Sequence, residues 1–166
     1  MPAPTLASLV SAMDYVIRPL TAADEPLLWE MLYQGIHTAG SKSAPSPDVV
    51  HQPEFAHYVT GWGRPGDIGF VAHDREQGKP LGAAWFRCPE NLPGRPVPEL
   101  AFTVRSEHRR RGIGAALLTQ LVKADPQCSA VSIPVAPDNP AVRLYERFGF
   151  KIAEQSPHSV LMRREV

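Results

Sequence analysis

The sequence predicts a single domain of the α/β (α+β) class, with six or seven strands and about four helices. Three observations point there. The 166 residues are 43% apolar and 20% charged, enough to bury one core and too few for two. Two β-rich runs at 68–73 and 81–86 are joined by DREQGKP, a polar connection with Gly78 and Pro80 that suits an antiparallel hairpin. Two strand-like runs, ending near Val104 and Val135, each lead into a segment with helix-start signals, Gly112 in one and Asn139-Pro140 in the other.

Each element has its own local reason. Residues 15–18 are short and β-rich, and Pro19 stops them; Thr21 or Asp24 can then cap a helix carrying Leu27, Leu28, Met31 and Leu32 at helical spacing. From 35 to 66 the chain is irregular, with SKSAPSPD, a short helix near 53–60 and the turn-rich GWGRPGD. Loops this long in a compact domain are often functional. After the hairpin, 98–104 forms a further strand and 112–124 a helix that Asp125-Pro126 ends. Residues 130–135 read as a strand with Val131, Ile133 and Val135 on one side. Pro134 cannot donate to a ladder, so this strand lies at an edge or where two strands splay. Asn139 and Pro140 provide the cap and first turn of a helix through Phe148, and Gly149 closes it. Residues 150–154 and 159–163 supply the last two strands.

Lys plus Arg equals Asp plus Glu at 17 each, so the chain has no bulk field for holding nucleic acid or an anionic membrane. Any electrostatic recognition is local. Cys88 and Cys128 lie far apart without metal-ligand spacing, which fits reduced packing thiols in a cytoplasm. MPAPTLASLVSA lacks both a basic start and a sustained apolar stretch, so it reads as neither signal peptide nor membrane span. Residues 1–13 are expected to be a flexible tail and 14–166 the domain, with Met13 open as an alternative translation start.

The informative segment is HRRRGIGAALL, residues 108–118. A helix starting at Gly112 leaves its first amides without intrahelical partners, and their aligned dipoles favour an anion. Gly112, Gly114, Ala115 and Ala116 keep side chains away from that turn, while Ile113, Leu117 and Leu121 anchor the other face. A dinucleotide fingerprint wants a third glycine where Leu117 stands, and a Walker loop wants Lys and Ser or Thr where Ala115 and Ala116 stand. What matches is R-x-x-G-x-G, Arg109 to Gly114, after a strand and opening a helix. In this the chain resembles the GCN5-related N-acetyltransferase superfamily, whose motif of this form cradles the pyrophosphate of acetyl-coenzyme A. IRPLTAADEPLL (17–28) is similar to the family's first strand and helix, and NPAVRLYERFGF (139–150) to its second motif. The resemblance covers roughly residues 15–163 and implies a mixed, mainly antiparallel sheet.

It also implies site roles. Arg109, Arg110, Arg111, Gly112, Ile113, Gly114 and Ala115 would hold the pyrophosphate, and main-chain amides of Phe102, Thr103 and Val104 would meet the thioester and pantetheine. An alkylammonium has a pKa near ~10.4, so a carboxylate would help deprotonate it. Glu99, where many family members carry an acidic base, is the candidate; alternatively it is a strand-end carboxylate paired with Arg95 or Arg105. Tyr145, in LYERFGF, stands where the family places the acid that protonates the thiolate; it also reads as a buried aromatic beside Val142 and Phe148, and the two are compatible. The family's usual asparagine falls seven residues before that tyrosine, where this chain has Asp138; either Asn139, one position later, takes the coenzyme contact in a shifted register or the Asp138 carboxylate replaces the amide, and as a helix cap Asn139 needs no ligand to explain it.

The resemblance places the acceptor near residues 33–66 and Trp85. Trp29, Tyr33, Tyr58, Trp62 and Trp85 could line an aromatic pocket, although packing is the commoner use of such residues. His37, His51, His57 and His73 lack metal spacing, so no metal is expected. Asp48, Glu54 and Asp67 could attract a cationic amine. The expected function is acetyl transfer from acetyl-coenzyme A to a primary amine, on a small molecule or a peptide, through a ternary complex. The alternative is a non-catalytic acyl-coenzyme A sensor. A cytoplasmic protein is expected, without nucleic-acid or membrane partners, and a homodimer stays open.

Overall fold

The computed structural model describes residues 15–38, 46–76, 78–92, 94, 97–105 and 112–165. Both the expected tail (1–13) and the arginine run (109–111) lie outside the described residues. Seven strands form one mixed sheet: β1 (Tyr15–Pro19), β2 (Ile68–Asp74), β3 (Pro80–Arg87), β4 (Glu99–Val104), β5 (Ala130–Ile133), β6 (Lys151–Ser156) and β7 (Ser159–Arg163). Four α-helices accompany them among the described residues: α1 (Glu25–Thr38), α2 (Pro53–Ala56), α3 (Ile113–Ala124) and α4 (Pro140–Glu146). The strand order is β1-β2-β3-β4-β5-β7-β6. All neighbours are antiparallel except β4 and β5.

The pleat divides two cores between the faces of the sheet. Ala72, Ala84, Phe86, Leu100, Val131, Ile133, Val160 and Met162 meet Ile113, Leu117, Leu118 and Leu121 of α3 and Val142 and Tyr145 of α4. Val71, Ala83, Trp85 and Ala101 look the other way, toward Leu28, Met31 and Leu32 of α1 and Tyr58, Val59 and Trp62. No buried member of this second cluster comes from β5, β6 or β7. Among the described residues, the sheet on that side therefore has no helical cover beyond β4.

Local chemistry sets the helix ends as the sequence predicts. Asn139 accepts a hydrogen bond from the Ala141 amide at 2.9 Å with Pro140 in the first turn, and Gly149 ends the following turn at φ 91°. Ahead of α1, Asp24 accepts from the Thr21 amide at 2.7 Å and receives Arg18 through two nitrogens at 2.7 and 2.8 Å. Near 53–60 only Pro53–Ala56 is α-helical, and turns carry the chain on to Gly61. β5 ends at Ile133, before Pro134, and the closing hairpin folds back so that β7, not β6, pairs with β5.

Candidate active site

β4 and β5 set the geometry. β4 is laddered to β3 at six consecutive positions, whereas it meets β5 only at Glu99 opposite Ser132, with the Ser132 amide donating to the Pro98 carbonyl at 2.9 Å. Beyond that pair the strands part. Pro134 brings no donor, and the Val135 amide turns back to the Ile133 carbonyl at 2.9 Å. The sequence expectation of an edge or a splay resolves to a splay.

Alternation decides which β4 amides face the opening. The Arg105 amide donates to the Leu81 carbonyl at 2.8 Å, so Thr103, opposite Ala83, also turns its amide toward β3. Leu100, Phe102 and Val104 turn theirs toward the splay. Of the three main-chain donors expected here, Phe102 and Val104 are placed for a guest between the strands, and Thr103 is used within the sheet.

The start of α3 overlies this edge. Gly112 is its N-cap residue at φ 77°, a left-handed conformation that glycine adopts without strain, and a Cβ added there would meet nothing within 4 Å. Gly114 matters for a different reason. A Cβ on it would lie 2.8 Å from Cζ of Phe102, so any larger residue there must displace the Phe102 ring. Ile113, Leu117 and Leu121 are 1%, 0% and 0% exposed and bind the helix to the sheet. Among the described residues no side chain caps this N-terminus, which is open toward solvent at Gly112 and lies beside the amides of Phe102 and Val104 that are turned to the splay.

Glu99 faces away from α3, and its side chain is 9% exposed. His57, just past α2, brings Nε2 to 2.9 Å from Oε2 of Glu99. Arg105, one of the two expected partners of Glu99, instead pairs with Glu30 and donates to the Pro80 carbonyl at 2.7 Å. Arg95, the other, is outside the described residues. Behind His57 lies a buried cluster. Arg87 donates through Nε and Nη2 to the two oxygens of Asp67 at 3.0 and 3.1 Å, and through Nη1 to the carbonyls of Thr60 at 2.6 Å and His57 at 3.2 Å. Asp67 also accepts from the amides of Gly63 and Arg64 and from Asn91, so it serves the fold and is not open to an amine.

Tyr145 is 1% exposed on α4, with its ring 5.2 Å from that of Phe150. Among the described residues its hydroxyl has no hydrogen-bond partner. Burial pushes its phenol far above the usual range, Cys128 adds to that, and Arg164 opposes it. Cys128 is likewise pushed up, first by burial and then by Asp125, which keeps it a thiol.

On the uncovered face, a cleft of about 260 Å³ opens beside Glu99. Ser132, Ser156, Ser159, Gln155 and Glu154 line it with Glu99, and Val97 and Leu161 supply its apolar part. The aromatic residues expected near an acceptor lie elsewhere: Tyr58, Trp62 and Trp85 are buried in the second core, and Trp29 and Tyr33 pack against it.

A family model described as the acetyltransferase (GNAT) family matches residues 29–150. The chain belongs to this family. No curated protein sequence matches it. Among solved structures, a GCN5-related N-acetyltransferase from Kribbella flavida is 22% identical with a TM-score of 0.61, covering 93% of this chain and 99% of the other. A GNAT superfamily phosphinothricin acetyltransferase from Sinorhizobium meliloti in complex with acetyl-coenzyme A is 22% identical with a TM-score of 0.61, over 92% and 88%. A PaiA N-acetyltransferase from Thermoplasma acidophilum in complex with coenzyme A is 15% identical with a TM-score of 0.61, over 92% and 99%.

Within this GNAT domain Phe102, Val104, Gly112, Ile113, Gly114 and Ala115 gather at the splay and the start of α3, while Glu99 stands where β4 and β5 part and opens onto the other face; Asn139 and Tyr145 belong to α4, Thr103 turns its amide to β3, and 109–111 lie outside the described residues. His57 and Arg87 were not singled out for catalysis. His57 lies 42 residues from Glu99 and Arg87 lies 20 from Asp67, separations that no local spacing reveals. A histidine near the end of a short helix, before a turn-rich loop, was the only signal available.

Proposed function

We propose that the chain moves an acetyl group from acetyl-coenzyme A to a primary amine in a ternary complex, and that residues 14–166 form the catalytic domain. One observation carries the reading: the splayed edge of β4 beside the open start of α3. The open approach at Gly112 fits a pyrophosphate held by the amides of Gly112, Ile113, Gly114 and Ala115. Arg109, Arg110 and Arg111 are placed by the sequence next to that turn and would add charge. The Oδ1 of Asn139 is engaged by Ala141, so a coenzyme contact from this residue would fall to its Nδ2. Acetyl-coenzyme A supplies an activated acyl group with a thiol leaving group. The amides of Phe102 and Val104 would stabilise the oxyanion as it develops.

Glu99 would take a proton from the acceptor ammonium, and Tyr145 would give one to the departing thiolate. Burial makes this phenol a weaker acid than a free tyrosine, so its assignment rests on its place in LYERFGF and not on its titration. The cleft beside Glu99 supports an amine acceptor: it carries two carboxylates and three hydroxyls beside the apolar side chains of Val97 and Leu161. A cytoplasmic location goes with this reading, since acetyl-coenzyme A would be its acyl donor there.

The test is release of free thiol from acetyl-coenzyme A across a panel of small amines and N-terminal peptides. One acceptor class should yield acetylated product, with Glu99→Gln and Tyr145→Phe each lowering kcat by about a hundredfold. Protein that is not heat-stabilised by acetyl-coenzyme A and releases no thiol would refute the reading. Tight coenzyme binding without turnover would show a sensor in place of an enzyme.

A further inference from the structure

His57 makes one contact that its position in the fold does not require. Its Nδ1 lies 3.2 Å from the Pro53 carbonyl and its Nε2 2.9 Å from Oε2 of Glu99. A carbonyl can only accept, so Nδ1 carries a hydrogen. A carboxylate also only accepts, so a proton must lie between Nε2 and Oε2. It belongs either to an imidazolium facing a carboxylate or to a carboxylic acid facing a neutral ring. Both descriptions hold one proton more than a bare carboxylate beside a neutral imidazole.

The ring is also held in place. The His57 carbonyl accepts from Arg87, whose guanidinium is fixed by Asp67, and the Tyr58 ring stands 4.1 Å from the imidazole. His57 is the more open member, with its side chain 21% exposed against 9% for Glu99. Among the described residues, the charged groups near the pair include Arg87 and Asp67 behind His57, Glu54 earlier on α2, and Glu154 in the cleft that Glu99 lines.

Resting on the acyl-transfer reading, we infer that His57 is a positioning residue that sets the proton state of Glu99 and passes its proton to water. The pair as it stands holds the extra proton; once that proton has gone to solvent, the working state is a neutral ring beside a carboxylate. The acceptor N–H bond breaks, its proton reaches Glu99, and it crosses from Oε2 to Nε2 to leave an imidazolium that gives one proton to solvent. The amine nitrogen loses two protons over the reaction. One leaves by this path, and the other balances the proton that Tyr145 gives to the thiolate. No other reactant is needed.

Two measurements test this, and the first requires no acceptor. In protein labelled with ¹⁵N-histidine, the His57 ring should show Nδ1 protonated and a hydrogen-bonded Nε2 proton that Glu99→Gln removes. An Nδ1 without a proton, or an Nε2 signal that Glu99→Gln leaves unchanged, overturns the inference. The second uses the amine from the panel that releases most thiol. His57→Gln and His57→Asn should lower kcat by about tenfold or more with the KM for acetyl-coenzyme A within about twofold, and added imidazole should restore turnover to His57→Ala. A kcat within about twofold of wild type, or no rescue by imidazole, also overturns it. Wild-type protein that transfers no acetyl group would defeat the acyl-transfer reading alone, since the ring spectrum still reports on the pair.

Discussion

At Tyr145 the fold keeps a buried hydroxyl without a partner among the described residues, an arrangement that costs about 1–3 kcal/mol relative to a satisfied or absent group. Phenylalanine would fill the same space without that cost. Tyr145→Phe should therefore leave stability unchanged or raise it by about 1 kcal/mol in chemical denaturation, while acetyl transfer falls steeply. A loss of stability would mean that the hydroxyl has a structural use. Asp24 gives a pH signature of the opposite kind. Its carboxyl is held down to about 2, from 3.8, chiefly by hydrogen bonds from Arg18. A group depressed in the folded state contributes stability above its unfolded pKa and loses it as pH falls through the folded value. Arg18 is 40% exposed, so screening limits the pair to about 1 kcal/mol. Asp24→Asn should thus be less stable than wild type near neutrality, and the gap should close between pH 3.8 and about 2 in acid titrations followed by circular dichroism. A gap that persists below pH 2 would place the effect in the cap geometry.

For whole elements, α3 shows what one sequence can and cannot reveal. The spacing of Ile113, Leu117 and Leu121 predicts the buried face, and Asn139-Pro140 with Gly149 predicts the ends of α4, because these signals are local. The reason for Gly114 is not local: its contact is Phe102 on another element. Gly114→Ala should cost about 1–3 kcal/mol through overpacking and weaken coenzyme binding by displacing the first turn. Leu117→Ala, in the same helix but remote from the turn, should cost about 2–5 kcal/mol in urea melts. Its coenzyme affinity should stay close to wild type wherever the protein remains folded. Equal loss of affinity in the two variants would mean that the helix start has no special part in binding.

Across the whole molecule, β7 lies between β5 and β6, and β4 and β5 separate after one paired position. Pro134 signals weak pairing in the sequence. It cannot say which neighbour is lost, since partner choice depends on contacts distant along the chain. The same holds for the Glu99–His57 pair, while the arginine-glycine turn and the LYERFGF segment are contiguous and therefore legible. The central claim is that amides on β4 and at the start of α3 together bind an acyl carrier bearing a diphosphate. An amide-resolved NMR titration with acetyl-coenzyme A tests it most directly. The account predicts saturable shifts at Phe102, Val104, Gly112, Ile113, Gly114 and Ala115, with Thr103 moving less because its amide stays in the β3 ladder. Shifts confined to other regions, or a spectrum unchanged by the ligand, would contradict it.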